Sequence, residues 1–318
     1  MGKNVLVTGG AGFIGSHVAD AYLARGDRVW VVDDLSSGRR SNLPDGVDFR
    51  HMDIRDAAIA GLFEEVGGFD IVNHHAAQID VRRSVADPRL DASVNIDGLL
   101  NLLEAGMRHG VGRFLMISSG GVVYGEAETR PTPETAPKQP VSPYGVTKLA
   151  AEFYLWYYHR VRGLDYAALR YANVYGPRQD PHGEAGVVAI FGSRVLEEQP
   201  LTVFGDGEQT RDYVFVGDVV TANLALSDAV LGEPSTLDDR AFNVGTGVEI
   251  SVNELASAVM RAGERSVETT RGPARPGDLD RSALDARRLG ALGWRPETTL
   301  DEGLAKTLAH IGSMRGAA

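Results

Sequence analysis

The stretch "NVLVTGGAGFIG", Asn4 to Gly15, opens on a β-branched apolar run and closes on Gly9, Gly12 and Gly15, spaced three residues apart. The run reads as a buried strand, and the residues after it as a helix from about Ile14 to Arg25. In such a strand-to-helix turn the first glycine lets the chain turn sharply. The second lets backbone approach a pyrophosphate, and the third lets helix and strand pack closely. The N–H groups at the helix start, at Phe13, Ile14 and Gly15, then face the phosphates, favoured by the helix dipole. The glycines alone also fit a tight turn without a ligand, so the surrounding chain has to decide.

Outward from this turn, short β-branched runs alternate with helical patterns: "RVWVVDD", "VDFRHMD", a helix near Ala57 to Val66, and "DIVNHHAA". A long amphipathic stretch from Arg89 to His109 follows, then "RFLMISS", a helix from about Pro143 to Val161, and "DYAALRYANVYG". Strand and helix in regular succession, with nearly continuous apolar strands, predict right-handed crossovers onto a doubly wound parallel sheet. The fold class is α/β, with a Rossmann-type dinucleotide-binding domain over residues 1–172. After Tyr175 the regularity weakens, and residues 173–318 read mainly as a smaller α/β substrate-binding region. "YVFVGDVVTANLALSDA" and "AFNVG" are candidates to return to the sheet.

Asp33 ends the second strand 18 residues after Gly15, where a carboxylate accepts from both adenosine ribose hydroxyls and repels a 2′-phosphate. This favours NAD, while Arg39 and Arg40 keep NADP open. Asp53 and Ile54, after the third strand, are expected near the adenine. Ala76 and Ala77, at the end of the fourth, are small enough for a cofactor to lie against backbone. His74 and His75 read as strand-end packing or solvent-exposed residues, since no spacing here resembles a metal site.

Across 318 residues, 32 basic against 43 acidic side chains leave a formal net charge of -11, which argues against nucleic acid or an anionic membrane as the main partner. Without cysteine there is no thiolate nucleophile, disulfide or Cys-based metal site. The chain enters a strand pattern at once, and no window approaches a membrane-spanning length, so a soluble cytoplasmic enzyme is expected.

Tyr144 and Lys148 stand four residues apart on a predicted helix and project from one face. A free tyrosine titrates near pKa ~10 and is a poor base at neutral pH. A neighbouring ammonium and an oxidised nicotinamide ring both stabilise the phenolate, so this pair is suited to taking a proton from an alcohol beside the cofactor.

"TGGAGFIG", "ISSGGVVYG", "SPYGVTK", "RYANVYGPR" and "RPGD" together resemble the extended short-chain dehydrogenase/reductase family, and within it the nucleotide-sugar epimerases. The resemblance runs from about Lys3 to Leu308. It implies Tyr144 as base, Lys148 as holder of the nicotinamide ribose and Asn95 as part of the cofactor pocket. Asn173, Arg211, Arg275 and Asp278 match positions that hold the diphosphate, uridine ribose or sugar. Arg211 and Arg275 are also loop cations suited to bidentate phosphate contact. The implied reaction is NAD-dependent C4 epimerisation of a UDP-hexose such as UDP-glucose or UDP-galactose, through a 4-keto sugar.

The family's usual catalytic hydroxyl falls on Gly120, a departure. Ser119 is expected to supply that hydroxyl, with Ser118 or a water beside Gly120 as the alternatives. The related dehydratases carry an acidic pair where this chain has Gly121 and Val122, and the related decarboxylases a carboxylate at the place of Val122. Epimerisation is therefore preferred. UDP-glucuronate or a UDP-N-acetylhexosamine as substrate, and a non-catalytic NAD-binding protein, remain open. His182 and Glu184 in "PRQDPHGEAG" read as part of a substrate loop, and the aromatics of "EFYLWYYHR" as half core and half homodimer interface.

Overall fold

The computed structural model describes residues 2–181, 186–274 and 279–316. Its first half runs β1 (Asn4–Thr8), α1 (Phe13–Ala24), β2 (Arg28–Asp33), β3 (Asp48–His51), α2 (Ala58–Val66), β4 (Ile71–His74), α3 (Val81–Ala86), α4 (Pro88–Ala92), a π-helical turn (Ser93–Asp97), α5 (Gly98–His109), β5 (Arg113–Ser119), α6 (Gly120–Val123), α7 (Pro143–Arg162) and β6 (Tyr166–Tyr171). The second half adds β7 (Asn173–Tyr175), α8 (Val187–Leu196), β8 (Leu201–Phe204), β9 (Thr210–Arg211), β10 (Tyr213–Phe215), α9 (Val216–Asp228), β11 (Ala241–Val244), β12 (Ile250–Ser251), α10 (Val252–Ala262), β13 (Thr269–Gly272), α11 (Arg287–Gly290) and α12 (Leu300–Gly316).

The main sheet has seven strands in the order β11-β6-β5-β4-β1-β2-β3. β1 pairs parallel with both β2 and β4, β2 with β3, and β4 with β5. The chain thus winds outward from β1 to β3, then returns and winds the other way from β4. That reversal leaves a crevice outside the carboxyl ends of β1 and β4, the place where open α/β sheets bind ligands. Phe63, Phe69, Leu99, Leu102 and Phe114 are buried in the layer that packs helices onto the sheet. Each such side chain contributes roughly 1.5–3 kcal/mol on burial.

The long amphipathic stretch does not form the single helix its pattern suggests. Asp87 caps α4 by accepting from the Leu90 N–H, with Pro88 in the first turn. The π turn then intervenes before α5 begins at Gly98. The wider turn accommodates the buried Asn95, and Gly98 carries no Cβ because one would overlap the Ile54 side chain. Insertions of this kind cluster at functional sites. α7 is bounded by local chemistry: the Ser142 hydroxyl accepts from the Gly145 N–H at 3.1 Å, Pro143 follows, and Gly163 ends the helix at φ 75°.

The chain forms two compact units. One comprises residues 1–123, 138–170 and 220–242, the other residues 124–137, 171–219 and 243–318. In the second unit β7 pairs parallel with β10 and β8 with β13, while β9 pairs antiparallel with β12. "YVFVGDVV" forms β10 and the start of α9, and "AFNV" forms β11 of the main sheet. Among the described residues no helix is long and apolar enough to cross a membrane.

Candidate active site

The glycine turn is built as a close approach of three backbones. Gly9 has φ 67°, and a Cβ there would meet the Ala76 amide nitrogen at 2.5 Å, so the chain leaving β4 passes directly over the turn. A Cβ at Gly15 would overlap the carbonyl oxygen of Gly9. Gly12 caps α1 in an extended conformation and, among the described residues, no side chain caps the first-turn amides. Those N–H groups, which no helix satisfies internally, remain for an anion.

Asp33 organises the neighbouring loop. Its Oδ2 accepts from the Ala11 N–H at 2.9 Å and its Oδ1 from the Leu35 N–H at 2.8 Å, which leaves lone pairs for two ribose hydroxyls. Burial holds its carboxyl above the usual range, with the two backbone N–H groups opposing. The Arg40 guanidinium lies 4.2 Å from the Phe49 ring centroid, stacked on that ring. Asp53 is paired with Arg55 at 2.5 Å, whose hydrogen bonds hold its carboxyl below the usual range. Ile54 is a core side chain, and its carbonyl accepts from Asn101 Nδ2 at 2.8 Å. The Ala76 N–H donates to Thr8 Oγ1 at 3.4 Å, and Ala77 follows in the same segment. A glycine cradle, half-free first-turn amides and Asp33 together fit a dinucleotide.

Tyr144 and Lys148 lie on the buried face of α7, 9% and 5% exposed, with Lys148 Nζ 5.7 Å from the Tyr144 ring centroid. Lys148 Nζ donates to the Ile117 carbonyl at 2.9 Å, and burial lowers it to about 8, with the charges of Asp91 and Glu152 opposing. The Ser119 side chain stands near enough to the Tyr144 phenol to favour its ionised form. Burial nevertheless pushes Tyr144 above the ordinary phenol range, with Ser119 lowering it and the Asp91 charge raising it. This runs opposite to the lowering expected from the pair alone, because a phenolate stripped of water loses more than a lysine turned toward a carbonyl returns.

Ser118 and Ser119 face opposite ways, as successive strand residues must. The Ser118 hydroxyl donates to Glu152 at 2.5 Å, deep under α7, where Glu152 also receives Arg170 Nη2 at 2.6 Å. Gly120 is buried at the start of α6. A Cβ at Gly121 would have Ser119 Oγ, 3.9 Å away, as its nearest neighbour, so the space beside that hydroxyl is open.

Asn95 is buried in the π turn. Its Oδ1 accepts from the Gln78 N–H at 2.9 Å and its Nδ2 reaches Asp91 at 3.2 Å. His74 is buried and shares a 2.7 Å hydrogen bond with Thr8. His75 is partly exposed, but its Nε2 is buried without a partner among the described residues. Burial, then the Lys148 charge, holds both rings down to about 3, so both are neutral. The sequence pattern does not mark Asp91, Thr147, Glu152 and Arg170 as site residues. Arg170 inside the apolar run "YAALRY" and Glu152 one turn beyond Lys148 were the available signals.

In the second unit, the Asn173 N–H donates to the Asp212 carbonyl at 2.9 Å, and Arg211 Nη1 donates to the Thr210 carbonyl at 2.8 Å. Next to Arg211 in sequence, the buried Asp212 carboxylate accepts from Thr246, Gly247 and Leu284, and burial raises it above the usual range. Arg275, Asp278, His182 and Glu184 lie outside the described residues.

The profile of the NAD dependent epimerase/dehydratase family matches residues 5–245. A UDP-glucose 4-epimerase of Mycolicibacterium smegmatis is 48% identical over 309 residues, spanning 95% of this chain and 96% of that one. The crystal structure of a UDP-glucose 4-epimerase from Thermotoga maritima with UDP-glucose aligns with TM-score 0.93 and 44% identity, covering 98% of this chain and 99% of the other. That of the Thermus thermophilus UDP-glucose 4-epimerase in complex with NAD aligns with TM-score 0.91 and 46% identity, covering 99% of each. The chain belongs to the NAD-dependent epimerase/dehydratase family.

Proposed function

We propose that the protein is a UDP-sugar 4-epimerase whose substrates are UDP-glucose and UDP-galactose. The observation that carries this reading is the Ser119–Tyr144 hydroxyl pair beside Lys148, with Gly121 and Val122 where an eliminating enzyme would need proton carriers. The relatives named as UDP-glucose 4-epimerases support the choice of sugar.

NAD, when bound, supplies the two-electron acceptor and a positive ring charge. The chain's own part is proton handling and grip. Tyr144 takes the proton of the sugar C4 hydroxyl and returns it once the sugar has turned, with the Ser119 hydroxyl steering the substrate oxygen between them. Lys148 orients the nicotinamide ribose and adds positive charge near the phenol. Gly9, Gly12 and Gly15 hold the pyrophosphate, and Asp33 the adenosine ribose. Asn173, Arg211, Arg275 and Asp278 hold the uridine diphosphate. Retaining the nucleotide firmly while the sugar stays loosely held lets the second transfer reach the opposite face, and the open space at Gly121 suits that rotation.

The protein acts as a homodimer through α7, whose Val146, Phe153, Tyr157 and Val161 form one exposed stripe at helical spacing. Incubation with NAD and UDP-galactose should yield UDP-glucose at equilibrium. A 4-keto-6-deoxy sugar from a hexose, or a UDP-pentose from UDP-glucuronate, with no C4 epimer, would overturn the assignment.

A further inference from the structure

Asp91 is fully buried, and among the described residues its carboxylate meets only neutral partners. Oδ2 accepts from Thr147 Oγ1 at 2.7 Å; Oδ1 accepts from Gln78 Nε2 at 2.8 Å and Asn95 Nδ2 at 3.2 Å. These partners come from α7, from the segment after β4 and from the π turn, so one carboxylate ties three segments together. Thr147 sits between Tyr144 and Lys148 on α7, and Gln78 and Asn95 are themselves joined by two further hydrogen bonds.

A carboxylate with neutral donors alone is expensive to bury, and a positive charge nearby offsets that cost. The groups facing Lys148 are Tyr144 and Glu152 from α7, Asp91 from α4, and His74 and His75 from the end of β4. The histidines are neutral, and Arg170 already pairs with Glu152. Asp91 is therefore the carboxylate of this group without a cation of its own. Its charge favours the ammonium of Lys148 and opposes ionisation of Tyr144.

We propose that Asp91 is a positioning residue for the Tyr144–Lys148 pair: it sets α7 against the π turn through Thr147 and Asn95 and serves Lys148 as a counter-charge. The inference rests on the proposed roles of Tyr144 and Lys148, and one arm of its test needs no turnover. The chain has four lysines, Lys3, Lys138, Lys148 and Lys306, so carbon-13 labelling at the lysine ε position resolves each titration by NMR. Lys148 should titrate lowest, at about 8. In Asp91→Asn it should move down by roughly half a unit or more, since a like-shaped neutral amide removes the negative charge. Turnover in the same variant should fall roughly tenfold, with KM within about twofold, as misplacement of a catalytic pair predicts. Thr147→Val, which keeps the carboxylate but cuts its link to α7, should lower kcat by a similar factor, and Thr147→Ser should restore it. Lys148 titrating unchanged in Asp91→Asn, or Thr147→Val turning over at the full rate, overturns the proposal. If Asp91→Asn does not fold, the Thr147 variants decide it.

Discussion

Tyr144 is held under two opposed demands. Its burial on α7 excludes water from a reacting alcohol and at the same time disfavours the phenolate that would act as base. The Ser119 hydroxyl is the near group that eases this, so both side chains should be felt in the rate. Tyr144→Phe removes the proton acceptor and is expected to lower kcat by about 10²–10⁴-fold while leaving NAD binding, measured by fluorescence titration, unchanged. Ser119→Ala should cost about 10²–10³-fold in kcat, the range for loss of one oriented hydrogen-bond donor. Ser118→Ala should act on stability through Glu152, because its hydroxyl is committed there. Gly121→Ala separates room from chemistry: the added methyl has its nearest neighbour 3.9 Å away, so the melting temperature should stay put. Turnover should drop if the sugar needs that space to rotate. A variant as fast as the parent would place the rotation elsewhere.

At the scale of elements, α7 carries both the proposed chemistry and the proposed homodimer contact. Its inner face carries Tyr144, Lys148, Glu152 and Leu155, and its outer face Val146, Phe153, Tyr157 and Val161. Phe153→Glu combined with Tyr157→Glu should convert the proposed dimer to monomer in light scattering at micromolar concentration without unfolding, since both side chains are exposed in the single chain. A parent protein that is monomeric at the same concentration removes the interface. The helix was legible because Ser142 and Pro143 mark its start and Gly163 its stop, and the glycine turn because each glycine answers a separate steric need. The break of the Arg89–His109 pattern was not, since a π turn preserves amphipathic character on both sides while shifting the face by a residue. Asp91 was hidden for the same reason: a carboxylate on a helix of mixed polarity reads as solvated until the partners from distant segments are in place. Glu152 and Arg170 show the limit from the other side. Each is a lone charge in an apolar run, and only the fold shows that they meet. Breaking that pair by Glu152→Leu leaves Asp238, 3.1 Å away, as an ion-pair partner of Arg170, and should destabilise the protein in denaturant unfolding by less than the ~3–5 kcal/mol of a fully uncompensated buried charge.

For the whole molecule, buried titratable groups set how stability responds to pH. His74 and His75 are held from 6.5 down to about 3 in the folded chain, so below pH 6.5 the unfolded chain binds up to two protons that the folded one refuses. Stability should therefore be intact above pH 6.5 and fall as the pH drops, with a slope approaching about 1.4 kcal/mol per pH unit for each histidine. Asp33 and Asp212 have the opposite sign. Their folded carboxyls are raised by burial, so protonating them relieves a penalty, but only toward the carboxylate range and after the histidine slope has begun. On the alkaline side Lys148, lowered from 10.5 to about 8, loses its proton in the fold before it does in the unfolded chain, which should raise stability between those two values. Tyr22 and Tyr213, pushed up from 10.0 to about 12, then reverse the trend as the unfolded phenols ionise first. The acid limb is the cleanest part to test. Urea midpoints at a series of pH values from neutral to about pH 5 should fall steadily, and His75→Asn, which removes one of the two refused protons, should cut that slope by up to half. His75 is the residue to change, because among the described residues its Nε2 has no hydrogen bond to lose, whereas His74 is bonded to Thr8. A flat profile across that window would mean that these imidazoles take up protons inside the fold, and the neutral strand end beside Lys148 would have to be abandoned.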